Sequence, residues 1–363
     1  MLNNFQDPGM SRQILQKLIP LAEKVARHLG RPAVLMEVCG THTMAISRSG
    51  LKNMLAGYLE LKSGPGCPVC VTDQKDIDKI IILARQPDVV VATFGDMVRV
   101  PGTNSSLERE RANNAQVGIF YSPAEAVTFA ARHPQKEVVF LGVGFETTIP
   151  AIALSVTAAK NQGLENYSIF SVHKLVPPVM KVLLGDPELR IDGLILPGHV
   201  CTITGRKTFD FIAAEFNIAA VIAGFELVDI VEAIYLLLKQ VLNGRAETVN
   251  GYTRLVQEEG NIKAKNIMSE YFEPVDALWR GFGMVPQSGL GLRKVYSFYD
   301  AAIRFPVEAP ESLPPKGCAC GDVLKGKITP QGCPLFAKVC TPLQPVGPCM
   351  VSSEGACAAY YYE

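Results

Sequence analysis

Between residues 33 and 242 the chain alternates short, unbroken apolar runs with longer amphipathic stretches, and this alternation constrains the fold more than any other feature. Strands read at Ala33–Val38, Asp88–Phe94, Val117–Tyr121, Glu137–Val143, Tyr167–Val172, Gly193–Leu196 and Ala219–Ala223. Helical patterns occupy residues 12–29, 76–85, 123–132, 149–161 and 226–242. A sheet with one wet face would alternate polar and apolar residues. Continuous valine, isoleucine and leucine runs spaced by helices are instead parallel strands buried on both faces. The expected fold is α/β with right-handed crossovers.

At 363 residues the chain exceeds one ordinary core. The polar break "RHPQKE" at 132–137 suggests two Rossmann-like lobes, 1–135 and 136–248, facing a cleft. From 249 to 363 the alternation stops. A charged helical stretch, the glycine-rich "WRGFGMVPQSGLGLRK" and the proline-rich "VEAPESLPPKG" lead into a cysteine-dense tail.

Lys plus Arg and Asp plus Glu both number 35, so the net charge of zero offers no electrostatic hold on nucleic acid or an anionic membrane. The opening "MLNNFQDPGMSRQ" lacks the apolar core of a signal peptide. The most apolar long stretch, 219–242, is interrupted by Glu226, Asp229 and Glu232, which makes it a strand and an amphipathic helix rather than a membrane span. A cytoplasmic location is expected. There thiols stay reduced, so the ten cysteines point to metal or redox chemistry more than to a disulfide framework.

Ligands of parallel α/β sheets bind where loops leave the carboxyl ends of strands. Five unusual segments fall there: "CGTHT", "TFGDMVRVPG", "GVGFETT", "LPGHVCTITG" and "AGFE". Glu146, His199 and Glu226 are the polar groups expected to face the cleft, and helix capping is the plainer role for each. No complete phosphate-binding glycine motif is present.

Cys39 and His42 stand three residues apart at the mouth of the first strand. Cys67 and Cys70 form a C-x-x-C turn stiffened by Pro65 and Pro68. That spacing suits a dithiol redox pair, half of a zinc site, or buried thiols. In the tail, Cys318, Cys320, Cys333, Cys340, Cys349 and Cys357 are interleaved with prolines and glycines, with few apolar residues for a separate core. Four thiolates on an iron–sulfur cluster or a zinc ion would staple such a segment, leaving two spare.

Together these segments, with "GPGCPVCVT" and "CPLFAKVCTP" through "GPCMVSSEGACAAYY", closely resemble the HypD family of NiFe-hydrogenase maturation proteins. The resemblance implies a scaffold on which an iron carrying cyanide and carbon monoxide, Fe(CN)2CO, is assembled for the hydrogenase large subunit. It implies a small chaperone partner, HypC, that lends its own cysteine to the iron, and a cyanide donor, HypE. Cys39 would then be the iron-binding thiol, with His42 assisting. Cys67 and Cys70 would be a redox pair near a 4Fe-4S cluster, similar to ferredoxin–thioredoxin reductase. The cluster would use four of the six tail cysteines: Cys333, Cys340 and Cys357 with one of Cys318 or Cys320, and Cys349 in reserve. The competing functions are a stand-alone iron–sulfur disulfide reductase and a zinc-stapled binding module.

Overall fold

The computed structural model describes residues 8–309, 312 and 314–363, with side chains from residue 15 onward. The first seven residues of the opening segment read against a signal peptide, and residues 310, 311 and 313 of the proline-rich linker, lie outside the described residues.

Strands run in chain order β1 (Ala33–Glu37), β2 (Leu59–Ser63), β3 (Val89–Thr93), β4 (Gln116–Ile119), β5 (Glu137–Gly142), β6 (Tyr167–Ser171), β7 (Gly193–Pro197), β8 (Ala219–Ala223), β9 (Thr248–Asn250), β10 (Phe272–Trp279) and β11 (Gly283–Leu292). They form a five-stranded sheet ordered β2-β1-β7-β8-β9, a four-stranded sheet ordered β4-β3-β5-β6, and the hairpin β10-β11. Every pairing in the two larger sheets is parallel. The α/β class, with two parallel-sheet lobes and a cysteine-rich region, is as the sequence implies.

The partition differs from the expected break at 135. The chain enters the first sheet with β1 and β2, crosses to build the whole second sheet from β3 to β6, then returns for β7 to β9. Apolar runs mark where strands are but not which edge each one joins. Here β1 takes β2 on one side and β7 on the other, so residues 33–63 and 193–250 share a sheet.

Burial follows the strand period of two. In β3, Val89 and Val91 face a core shared with the first sheet's Met36, Leu194 and Ile222, while Val90 and Ala92 face an outer core under the helix Ile149–Asn161. The first sheet's outer face is covered by the helices Pro8–Leu29 and Leu227–Leu242, which pack on each other. Cys340, Cys349 and Cys357 of the tail join the shared inner core, so the tail needs no core of its own. Among the described residues no helix is long and apolar enough to cross a membrane.

The glycine-rich segment is a hairpin. Gly281 and Gly283 sit at φ +82° and +73°, backbone that favours glycine, and reverse the chain between β10 and β11. Fully buried Trp279 anchors it by donating Nε1–H to Ser288 Oγ at 2.8 Å. The hairpin bridges both halves: Arg280 donates to the Val71 and Thr72 carbonyls, and Leu175 N–H donates to Ser288 O.

Candidate functional site

The candidate site begins two residues beyond β1. Cys39 is the N-cap of the helix Gly40–Ser49 and is 8% exposed. The Thr41 and His42 amides point at its sulfur and favour the thiolate, without closing a capping hydrogen bond. Burial opposes them and, with the carboxyls of Glu37 and Glu354, pushes the thiol up to about 12. The free site therefore holds a neutral thiol.

Two glycines bring backbone against it. A Cβ on Gly66 would lie 2.2 Å from the Cys39 nitrogen, so only glycine lets the C-x-x-C loop close on this turn. A Cβ on Gly40 would meet Glu354 Cβ at 2.5 Å. The Gly40 amide donates to Gly66 O at 3.0 Å, and Thr41 Oγ1 donates to Glu354 Oε1 at 2.8 Å. The tail is thus part of the site wall.

His42 is fully buried. Its Nε2 lies 2.8 Å from Gly224 O, which only accepts, so Nε2 carries the proton and Nδ1 is a bare lone pair without a partner. Burial lowers its pKa to about 4, with the Gly224 bond opposing, so the ring is neutral. Phe225 stacks between His42 at 4.7 Å and exposed His199 at 3.9 Å, placing His199 on the rim.

Glu146 arrives from the second sheet, 2% exposed, its Oε1 accepting the Val176 amide at 3.0 Å while Oε2 has no partner. Burial raises it from 4.5 to about 7. Because the folded pKa lies above the unfolded one, folding stability contributed by this group falls as pH climbs from 4.5 through 7. Glu146→Gln is expected to stabilise the protein by roughly 2–3 kcal/mol at pH 8 and by nothing at pH 4. Urea unfolding at both pH values checks this; equal effects at the two would refute it.

Cys201 is fully buried, which pushes its thiol up, and it lies near both Glu146 and Cys39, so the loops after β1, β5 and β7 come close here. Glu226 takes the plainer role: it closes a capping box with Asp229 at the start of Leu227–Leu242. Asp96, after β3, accepts from Ser352 Oγ at 2.9 Å and ties the second sheet to the same tail turn.

Cys67 and Cys70 are joined as a disulfide with Cα atoms 5.2 Å apart, and both are buried. Cys67 caps the short helix Pro68–Val71, which packs on the turn Pro348–Met350 of the tail.

In the tail, Cys318, Cys320, Cys333, Cys340 and Cys357 line one small cavity, closed by Leu335, Phe336, Gly347 and Met350. Cys349 is fully buried beside it and hydrogen-bonds with Cys320 and Cys357. Bonds from Cys320 and Cys349 bring the Cys357 thiol down to about 5. A Cβ on Gly347 would fall 2.6 Å from Cys320 Sγ and 2.8 Å from Cys318 Sγ. Among the described residues no three His, Cys, Asp or Glu side chains close around a single ion. Cys318 Sγ and Cys320 Sγ lie 3.3 Å apart, too close for both to sit at separate corners of one cluster, while Cys333, Cys340 and Cys357 are the thiol type that would hold one.

Sequence reasoning passed over Glu37, Thr43 and Glu354, and it left Cys201 without a role. Glu37 carried a signal, being the one acid inside the run "AVLMEV". Glu354 carried none, because its place depends on a fold contact across 313 residues.

Fold and site together define a cysteine-rich α/β protein with two parallel sheets, a C-x-x-C disulfide and a thiol-lined cavity in its tail. A family profile described as HypD, Hydrogenase formation hypA family, matches residues 12–363. The hydrogenase maturation factor HypD of Rhodobacter capsulatus is 41% identical over 366 residues, covering 99% of this chain and 97% of that one. A putative hydrogenase expression/formation protein of Methanocaldococcus jannaschii is 41% identical over 358 residues, covering 99% and 98%. The expression/formation protein HupD of Azotobacter chroococcum is 42% identical over 367 residues, covering 99% and 96%. The chain belongs to the HypD family of hydrogenase maturation factors.

Proposed function

We propose that this protein is the scaffold on which the Fe(CN)2CO fragment of a NiFe hydrogenase is assembled, with a HypC-type chaperone and a HypE-type cyanide donor. The observation that carries the reading is the setting of Cys39: one thiol, 8% exposed, with glycine backbone on both sides and the C-x-x-C loop hydrogen-bonded to its turn. Iron holding cyanide and carbon monoxide is a soft centre that thiolates suit. A single thiol here, completed by one from the chaperone, holds the iron and still permits its release. His42 is neutral before iron arrives, and its free Nδ1 lone pair relays the proton that Cys39 loses on binding iron, passing through a short-lived cationic ring.

Releasing cyanide from a thiocyanate needs two electrons. Cys67 and Cys70 supply them as a dithiol: the donor's R–S–CN and the two thiols become R–SH, hydrogen cyanide for the iron, and the Cys67–Cys70 disulfide. Cys333, Cys340 and Cys357, with Cys318 or Cys320, would hold a 4Fe-4S cluster, which when bound supplies single electrons at low potential.

The test is anaerobic co-isolation with the chaperone. Cyanide and carbonyl infrared bands, together with the broad absorption near roughly 400 nm of a cysteine-bound cluster, are expected. Zinc bound to the tail thiols, without iron or sulfide, would overturn the redox reading.

A further inference from the structure

Glu37 is a charged side chain at the end of an otherwise apolar strand, and it is 2% exposed. A carboxyl group survives such burial only with partners. All of its partners surround Cys39. Oε2 accepts the Cys39 amide at 2.9 Å, and Oε1 accepts the Thr43 hydroxyl. Ser63, opposite Glu37 on β2, adds a third hydrogen bond. The Thr43 amide in turn donates to Cys39 O at 3.0 Å, so the carboxyl group, both peptide groups of Cys39 and Thr43 close a ring. The Glu37 carbonyl also accepts the Gly64 amide at 2.8 Å, at the start of the loop that lays Gly66 against Cys39.

We propose that Glu37 is the positioning residue for the Cys39 thiol: its carboxyl group locks the turn from β1 into the following helix and so fixes where the sulfur points. This rests on the reading that Cys39 takes the iron. No capping bond from Cys39 itself holds that turn. Besides the Gly40–Gly66 backbone bond and the Thr41–Glu354 bond, the hold on the Cys39 peptide groups comes from Glu37 on the strand before it and Thr43 on the helix after it.

The experiment is iodoacetamide labelling of the metal-free full chain at fixed pH, with each cysteine followed by peptide mass spectrometry. Glu37→Ala opens the turn, and Cys39 labelling is expected to speed up about tenfold or more, while buried Cys201 and Cys349 keep their protection. Glu37→Gln keeps an oxygen for the Cys39 amide, and is expected to restore labelling to within about twofold of the parent. Thr43→Val, which removes one arm of the ring and keeps the shape, is expected to fall between them. An unchanged Cys39 rate in Glu37→Ala, or equal loss of protection at Cys39, Cys201 and Cys349 that Gln does not restore, overturns the proposal. The Cys39→Ala infrared experiment below judges the iron role separately: bands that persist there remove the iron from Cys39, whatever the labelling shows for Glu37.

Discussion

Cys39→Ala is expected to erase the cyanide and carbonyl infrared bands of the chaperone-bound protein while leaving the tail's iron content unchanged. The fold tolerates the change, because only a sulfur is lost from a site whose geometry is set by backbone and by Glu37. The tail cavity proposed for the cluster is lined by other cysteines, so iron and sulfide analysis should match the parent. No other thiol stands on this turn: Cys201 comes from the helix after β7, and Cys67 and Cys70 are joined to each other. Band loss should therefore be complete. Full-intensity bands in the alanine variant would take Cys39 out of the mechanism.

The helices and most strands were legible because apolar periodicity is local. β1, β7 and β8 read correctly since each is buried on both faces and spells an unbroken apolar run. β2 was missed because "LELKS" lies at the sheet edge and alternates buried with exposed residues. β9 is a three-residue edge strand, too short to show any period. The hairpin β10-β11 hid behind Pro274, Pro286 and its glycines, which argue against a strand in isolation but suit a two-stranded ribbon bulged between Val275 and Ala277.

The surroundings of Cys39 were only partly legible. His42 and His199 flank Phe225 beyond the strand ends of the first sheet, and Glu146 of the second sheet lies near Cys201. Glu226 looked identical in sequence and became a helix cap, a choice made by Asp229 three residues on. The tail's part could not be read from spacing at all. Residues 352–354 reach Asp96 and Thr41 only after the chain has crossed between sheets twice.

Gly347→Val is expected to strip the tail of its cluster, from about four irons per chain to below about one. Gly347 has φ −122° and ψ 156°, extended backbone that valine adopts freely, so strain is not the cause. Space is. Its Cβ position lies 2.6 Å and 2.8 Å from the sulfurs of Cys320 and Cys318, on short side chains that reach the cavity only by pointing there. A branched side chain would push both thiols out of the cavity while Cys333, Cys340 and Cys357 keep their places. Cys349→Ser supplies the contrast: Cys349 is packed beside the cavity without lining it, so iron and acid-labile sulfide should stay at the parent level. Iron and sulfide assays on anaerobically prepared protein decide the matter. A full cluster in Gly347→Val, or an absent one in Cys349→Ser, would show that this cavity is not where the cluster sits.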